Sequence, residues 1–274
     1  MDKSKPLTIE EIHKETLGVL KKFISICDEI KVNYFVAYGS LIGAVRHQGF
    51  IPWDDDFDVF MLRPDYDKLV EYCNTNAEKL YPFKLMNKEN TPGYPLNISR
   101  FNDLRFRMES TGYPDAGMGV FMDVYPLDGV GNGKKEVLEK YSFKKNLYMN
   151  LWGLKIVGKF QKSSKGIFRT IIKWLIYYFT FMIDYKYFLR KLDELKDIYN
   201  YEESQCVSLV VWESSMQAYD KTHFASYELL DFEGIKVKVP KDYEKLLKMV
   251  YGDYMELPPV ERRIPTHNYL IFRK

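Results

Sequence analysis

The chain has 274 residues, 46% of them hydrophobic and 16% aromatic, which is enough apolar mass for a globular protein of one large domain or two small ones. Its net charge of +2 conceals an asymmetry, because residues 134–191 hold fourteen Lys/Arg against Glu136, Glu139 and Asp184, a segment charge of +11 that leaves −9 elsewhere. The three cysteines, Cys27, Cys73 and Cys206, lie far apart and without C-x-x-C spacing, which argues against a disulfide framework or zinc knuckle and favours a reducing cytosol.

The opening MDKSKPLTIEEIHKE carries charge where a signal peptide needs an apolar centre. Thr8 and Glu11 then form a capping-box signature, and Ile9, Ile12, Leu17, Leu20, Ile24 and Ile26 recur at roughly helical spacing, predicting a helix over 8–31. Residues 34–38 are an aromatic and β-branched run that stops at Gly39-Ser40, before LIGAVRHQ; this reads as strand, tight turn, short helix. Pro52 and four aspartates within 54–58 follow, and the alternation over 56–61 reads as a strand. A helix opens at Pro64 and ends near Ala77, and β-like runs at 83–86, 97–101 and 120–125 complete one mixed sheet. From Lys134 to about 198 the pattern is helical and basic, with breaks near Gly158 and Gly166, and a short α+β tail closes the chain. The most lipid-like run, WLIYYFTFMI at 174–183, has ten residues where a spanning helix needs about 20, so no membrane crossing is expected. The organisation predicted is a single α+β domain over 1–274, with a core of 8–130 and 200–274 and a basic helical insertion or subdomain at 134–200.

On a strand over 56–61, Phe57, Val59 and Met61 enter the core while Asp56 and Asp58 project from the other face, about 6–7 Å apart at their Cα atoms. That separation lets both carboxylates reach one ion or bracket a pair. Unpaired they repel, and a hard cation such as Mg²⁺ or Mn²⁺ removes the penalty. VFMDVYPLDG supplies Asp123 as a third ligand from a neighbouring strand, Asp54 shares parity with Asp56 as a reserve, and Asp55 shapes the strand entry. The bland alternative is a solvated acidic turn. Gly39-Ser40 shifts the balance, because a glycine turn opening a helix presents backbone N–H groups to a phosphate, with Arg46 about 1.5 turns further on. A phosphate cradle ahead of a metal-binding pair suits phosphoryl-group transfer.

At this point the sequence resembles a known family. "YGSLIGAVRHQGFIPWDDDFDVFMLRPDYDKL" at 38–69 resembles the opening motif of the LicD family, which transfers phosphocholine from CDP-choline to glycans and is akin to fukutin-related protein. The likeness continues through "MDVYPLDG" at 122–129 and "VPKDYEKLLKMVYGDYMELPP" at 239–259, trailed by Arg262, Arg263 and His267. It implies a polymerase-beta-like nucleotidyltransferase fold, with Asp56, Asp58 and Asp123 as catalytic and metal-binding residues and Gly39 and Ser40 at the helix start. It implies too that a sugar hydroxyl of a cell-surface glycan precursor, lipid-linked or of the teichoic-acid or capsule type, attacks the distal phosphorus of a CDP-alcohol and CMP leaves. CDP-choline is the first candidate donor; ribitol or glycerol phosphate are alternatives. Trp53, Tyr38 and Tyr125 are candidate walls for a quaternary ammonium. Arg46, Arg263 and His267 are candidate contacts to donor or acceptor, and His47 reads as a packing or surface residue.

Two rivals stay open: true nucleotidyl transfer at the inner phosphorus, and a non-catalytic glycan- or choline-binding module. A P-loop kinase does not fit, since in DGVGNGKKE Asp128 stands at the first glycine position and Lys135 at the Ser/Thr position. In the basic middle, Lys155, Lys159, Lys162, Lys165, Arg169 and Lys173 would draw one cationic stripe on a continuous helix, beside Ile167, Phe168, Ile171, Ile172 and Leu175. Such a helix suits peripheral contact through 155–175 with an anionic membrane, here the inner face of the plasma membrane. A solvated face is the other reading, and no nucleic-acid motif accompanies the charge. The location expected is the cytoplasm.

Overall fold

A computed structural model describes residues 5–158, 160, 162, 166–212, 216–265, 267 and 269–274. In chain order its elements are α1 (Ile9–Glu29), β1 (Phe35–Val36), α2 (Tyr38–Arg46), β2 (Asp58–Leu62), α3 (Arg63–Thr75), α4 (Ala77–Leu80), β3 (Phe83–Met86), β4 (Ser99–Asp103), β5 (Phe106–Ser110) and β6 (Val120–Gly129). There follow α5 (Lys135–Lys155), α6 (Ile167–Phe179), α7 (Tyr185–Asp193), β7 (Cys206–Ser208), β8 (Tyr219–Asp220), β9 (Tyr227–Phe232), β10 (Ile235–Pro240), α8 (Tyr243–Tyr251) and β11 (Tyr269–Arg273). The described residues are thus mixed α/β, with one seven-stranded mixed sheet and two separate antiparallel pairs, β9–β10 and β5–β11.

The capping box forms as predicted: the Glu11 N–H donates to Thr8 Oγ1 and the Thr8 N–H to Glu11 Oε2. Val19, Leu20, Phe23, Ile26 and Cys27, the buried side of α1, lie over β4 and β6. The sheet runs β1-β2-β6-β4-β3, with β7 extending from the far end of β6 and β8 pairing β7. Among the described strands only β2 and β6 pair in parallel, and their register sets Asp58 opposite Asp123. A parallel pair is covered on both faces, which explains why every residue of VFMDVYPLDG is buried and why period-2 alternation does not mark these strands.

Several boundaries differ from the sequence reading. The strand expected at 56–61 begins at Asp58, and Asp56 lies in the segment that leads into it. Pairing starts where the neighbours allow it: the Asp123 N–H donates to the Phe57 carbonyl and the Ala37 N–H to that of Asp58. Tyr38 belongs to α2, so β1 is only two residues long. β6 runs four residues past the expected end because Asp128, which looks like a turn residue, is neutralised by Arg63 at 2.7 Å. The pair β5–β11, which ties the C-terminal strand back to the domain, carried no long-range signal in the sequence.

The basic middle is helical with breaks at Gly158 and Gly166, both at positive φ. The single stripe over 155–173 therefore does not form, because α5 ends at Lys155 and α6 starts at Ile167; Lys159 and Lys165 lie outside the described residues. α5 packs on α7, and Tyr141, Leu192 and Leu195 join the main core. Among the described residues no helix is long and apolar enough to cross a membrane.

Candidate active site

The parallel pairing of β2 and β6 makes two strand carboxylates neighbours, and the segment entering β2 adds a third. One oxygen each from Asp56, Asp58 and Asp123 lies within 4.8 Å of the others, and all three residues are buried. A second group overlaps the first: Asp55, Asp56 and His267 meet the same distance limit. His267, brought in by the approach to β11, donates from Nδ1 to Asp55 Oδ1 at 2.7 Å and places Nε2 3.5 Å from Asp56 Oδ2. The Tyr269 hydroxyl donates to the Asp55 carbonyl at 2.9 Å and fixes that turn to the C-terminal strand.

Crowding shows in the protonation equilibria. Burial first, then Asp56 and Asp123, push the Asp58 carboxyl far above the usual carboxylate range. Burial and then Asp54 raise Asp56 to about 8, although His267 opposes the shift. The hydrogen bond to Asp55, with the charge of Asp56 added, raises His267 to about 9, so at neutral pH it is an imidazolium. Five carboxylates, Asp54, Asp55, Asp56, Asp58 and Asp123, thus face two basic side chains, His267 and Arg100.

Arg100 was not anticipated from the sequence. Its buried guanidinium holds Asp123 with two hydrogen bonds, Nε to Oδ1 at 2.7 Å and Nη2 to Oδ2 at 3.3 Å. It also donates to the Tyr113 hydroxyl at 2.7 Å and lies 3.8 Å from the centroid of the Phe121 ring. The signal was a lone arginine inside the strand-like NISRFND; only the β4–β6 register, in which Arg100 faces Asp123, gives it meaning.

Gly39 and Ser40 sit in the first turn of α2, as the spacing predicted, but their present partners are the carboxylate segment itself. Ser40 Oγ accepts from the Asp58 N–H at 2.9 Å, fixing the start of β2 to the helix. A Cβ on Gly39 would stand 2.6 Å from Asp54 Oδ2, so glycine is what lets an anionic oxygen come this close to the helix N-terminus. Tyr38, with φ of 48°, makes the sharp entry to that turn and packs edge-on against Phe60 and Tyr125.

The other candidates form an adjoining basic patch. Arg46 donates from Nη1 to the carbonyls of Tyr254 and Glu256, at 2.8 and 3.2 Å, and from Nε to His47 Nε2. The Arg263 guanidinium lies 5.5 Å from the centre of the Trp53 ring and donates from Nε to the Pro258 carbonyl. Neither arginine is in an ion pair among the described residues, and burial, then the nearby charge of Arg263, lowers the pKa of Arg46. The structure therefore gathers Asp56, Asp58, Asp123, Gly39, Ser40 and His267 closely, and groups Trp53, Arg46 and Arg263 beside them.

An acidic cluster alone is weak evidence for an ion. Here Asp58 Oδ1 is buried and accepts no hydrogen bond among the described residues, while oxygen donors converge around it. That donor set and that unsatisfied oxygen fit a hard divalent cation.

Comparison with known proteins finds three relatives and one family model. Residues 31–117 match the family model described as LicD/FKTN/FKRP, nucleotidyltransferase domain, a span that includes Gly39, Ser40, Asp56 and Asp58. The chain is 28% identical over 268 residues to the lipopolysaccharide cholinephosphotransferase LicD of Haemophilus influenzae, covering 96% of this chain and 97% of that protein. Shorter likenesses reach uncharacterized proteins of Rickettsia typhi, 35% identical over 65 residues, and Rickettsia prowazekii, 38% over 61; these cover 24% and 22% of this chain and 19% and 20% of theirs. The chain thus carries a match to the LicD/FKTN/FKRP family model over residues 31–117 and is similar to a LicD protein along nearly its whole length.

Proposed function

We propose that the protein is a metal-dependent transferase that moves phosphocholine from CDP-choline to a sugar hydroxyl of a lipid-linked, cell-envelope glycan precursor in the cytoplasm and releases CMP. The observation that carries this reading is the buried Asp56–Asp58–Asp123 set, with its unsatisfied Asp58 oxygen, beside a glycine turn at a helix N-terminus. The full-length similarity to a cholinephosphotransferase supports the choice of head group. The polymerase-beta-like nucleotidyltransferase fold is part of the same proposal, supported by two aspartates in register on adjacent parallel strands and by the description of the matching family model. So is the division into a catalytic core at 8–130 and 200–274 with a helical subdomain at 134–200.

Asp56, Asp58 and Asp123 would hold Mg²⁺ or Mn²⁺, which supplies charge neutralisation at phosphate oxygens and lowers the pKa of a nearby hydroxyl. Everything else falls to the chain. Ser40 fixes Asp58, and Arg100 fixes the Asp123 carboxylate in one orientation. Gly39 leaves room for a phosphate oxygen where Asp54 now lies, so Asp54 must swing aside when the donor enters. Arg46 and Arg263, in no ion pair among the described residues, would offer charge to the nucleotide side of the donor, and Trp53, beneath the Arg263 guanidinium, an aromatic face. His267, held as a cation by Asp55, lies next to Asp56 and opposes the repulsion among the carboxylates.

The test is product analysis. Purified protein is given CDP-choline, CDP-ribitol or CDP-glycerol with a glycan acceptor and Mg²⁺, and soluble products are identified by mass. CMP release with gain of phosphocholine on the glycan is expected, and Asp58→Asn or Asp123→Asn should lower it about 100-fold or more. Wild-type rates in either variant would remove the carboxylates from the mechanism. The family model's description as a nucleotidyltransferase domain favours one second reading, attack at the inner phosphorus; it predicts free phosphocholine, not CMP, as the soluble product.

A further inference from the structure

α6 is amphipathic in the wrong sense for a helix that belongs to a core. It buries no residue, and its apolar arc is turned to solvent: Phe168 is 73% exposed, Phe179 79%, and Met182 just beyond it 90%. The positions of the helix that are partly covered are Thr170, Lys173 and Tyr177, its more polar edge. That edge is what holds it to the protein, through the Lys155 ammonium 4.5 Å from the Tyr177 ring centre and donating to the Phe181 carbonyl. Between α5 and α6 runs a largely apolar groove of about 560 Å³, lined by Leu151, Leu154, Ile172 and Ile176 together with Arg169 and Lys173.

We infer that α6 docks the protein onto an anionic lipid surface, with Phe168, Phe179 and Met182 among the acyl chains and Arg169 at the headgroups. Length supports lying in the interface, since thirteen residues make a helix of about 20 Å, too short to span. Charge selects the occupant. From Lys140 to Ile183 there is no Asp or Glu against nine Lys/Arg, so a second copy presenting the same face would repel, whereas anionic headgroups complement it. An exposed apolar patch of this extent marks an interaction surface, and a purely ionic partner such as nucleic acid would leave the patch in water.

The experiment uses the full-length protein and sedimentation with vesicles of phosphatidylcholine, alone or mixed with phosphatidylglycerol. Binding is expected only to the mixed vesicles and should weaken in high salt, with bromine-labelled lipid quenching tryptophan emission as Trp174 enters the bilayer edge. Phe168→Glu/Phe179→Glu should lower the partition coefficient roughly tenfold or more, and Arg169→Gln should lower it by a smaller factor at low salt, both with unchanged melting temperature. Phe168, Arg169 and Phe179 are exposed, so folding is not at stake. Equal binding to neutral vesicles, or undiminished binding by both variants, overturns the inference. So does a wild-type dimer in sedimentation equilibrium that the Phe168→Glu/Phe179→Glu variant dissolves while no vesicle binds, which would assign the face to a second copy.

Discussion

A residue that no motif announced, Arg100, governs one of the three central carboxylates. Both partners are nearly inaccessible, at 6% and 4% side-chain exposure, so their attraction must offset desolvation of two charges. Removing one partner leaves the other buried and unpaired. Arg100→Met is therefore expected to cost about 3–5 kcal/mol in urea denaturation without divalent ion. Adding Asp123→Asn to it should recover part of the loss, because the stranded charge is gone; strictly additive effects would show that the pair is not coupled.

At the level of elements, the β1–α2 turn and the entry to β2 act as one unit. Ser40 ties the strand to the helix, and the absent side chain of Gly39 lets Asp54 approach. In Gly39→Ala the new methyl meets only the mobile end of Asp54, at 2.6 Å, so the carboxylate can rotate away and stability should change by less than about 1 kcal/mol. Under the proposed function, the same methyl fills the space a donor phosphate oxygen would take. Steady-state kinetics should then show KM for the CDP-alcohol raised roughly tenfold, with a smaller effect on kcat. A change in kcat alone would place the phosphate elsewhere.

Across the whole molecule, the acidic cluster couples stability to pH. The folded protein holds a proton on Asp56 up to about 8, where the unfolded chain releases it near the ordinary aspartate value of 3.8, so the native state binds more protons between these values. Stability is then fullest at the acid end of that window and falls as pH rises. His267, raised to about 9, acts in the same direction: its contribution is complete below its unfolded value of 6.5 and is lost as pH passes 9. In EDTA the melting temperature is expected to decline from pH 5 to pH 9. Divalent ion should raise it more at pH 8 than at pH 6, since the ion replaces the protons. A melting temperature in EDTA that climbs over that range would refute the repulsion on which the site rests.

Local chemistry was legible in the sequence. The Thr8 capping box, the Gly39-Ser40 turn, and the breaks at Gly158 and Gly166 each depend on residues within one turn of one another, so spacing alone determined them. The strands of the buried pair were found but misplaced by a few residues, because two-sided burial erases alternation and Asp128 is disguised by its distant partner Arg63. The union of Asp58 with Asp123, the arginine clamped on Asp123, and His267 meeting Asp55 from 212 positions away were decided only by tertiary structure. Those contacts are fixed by strand register and by the pairing of β5 with β11, and register is an energy shared among many residues that no single stretch of sequence expresses.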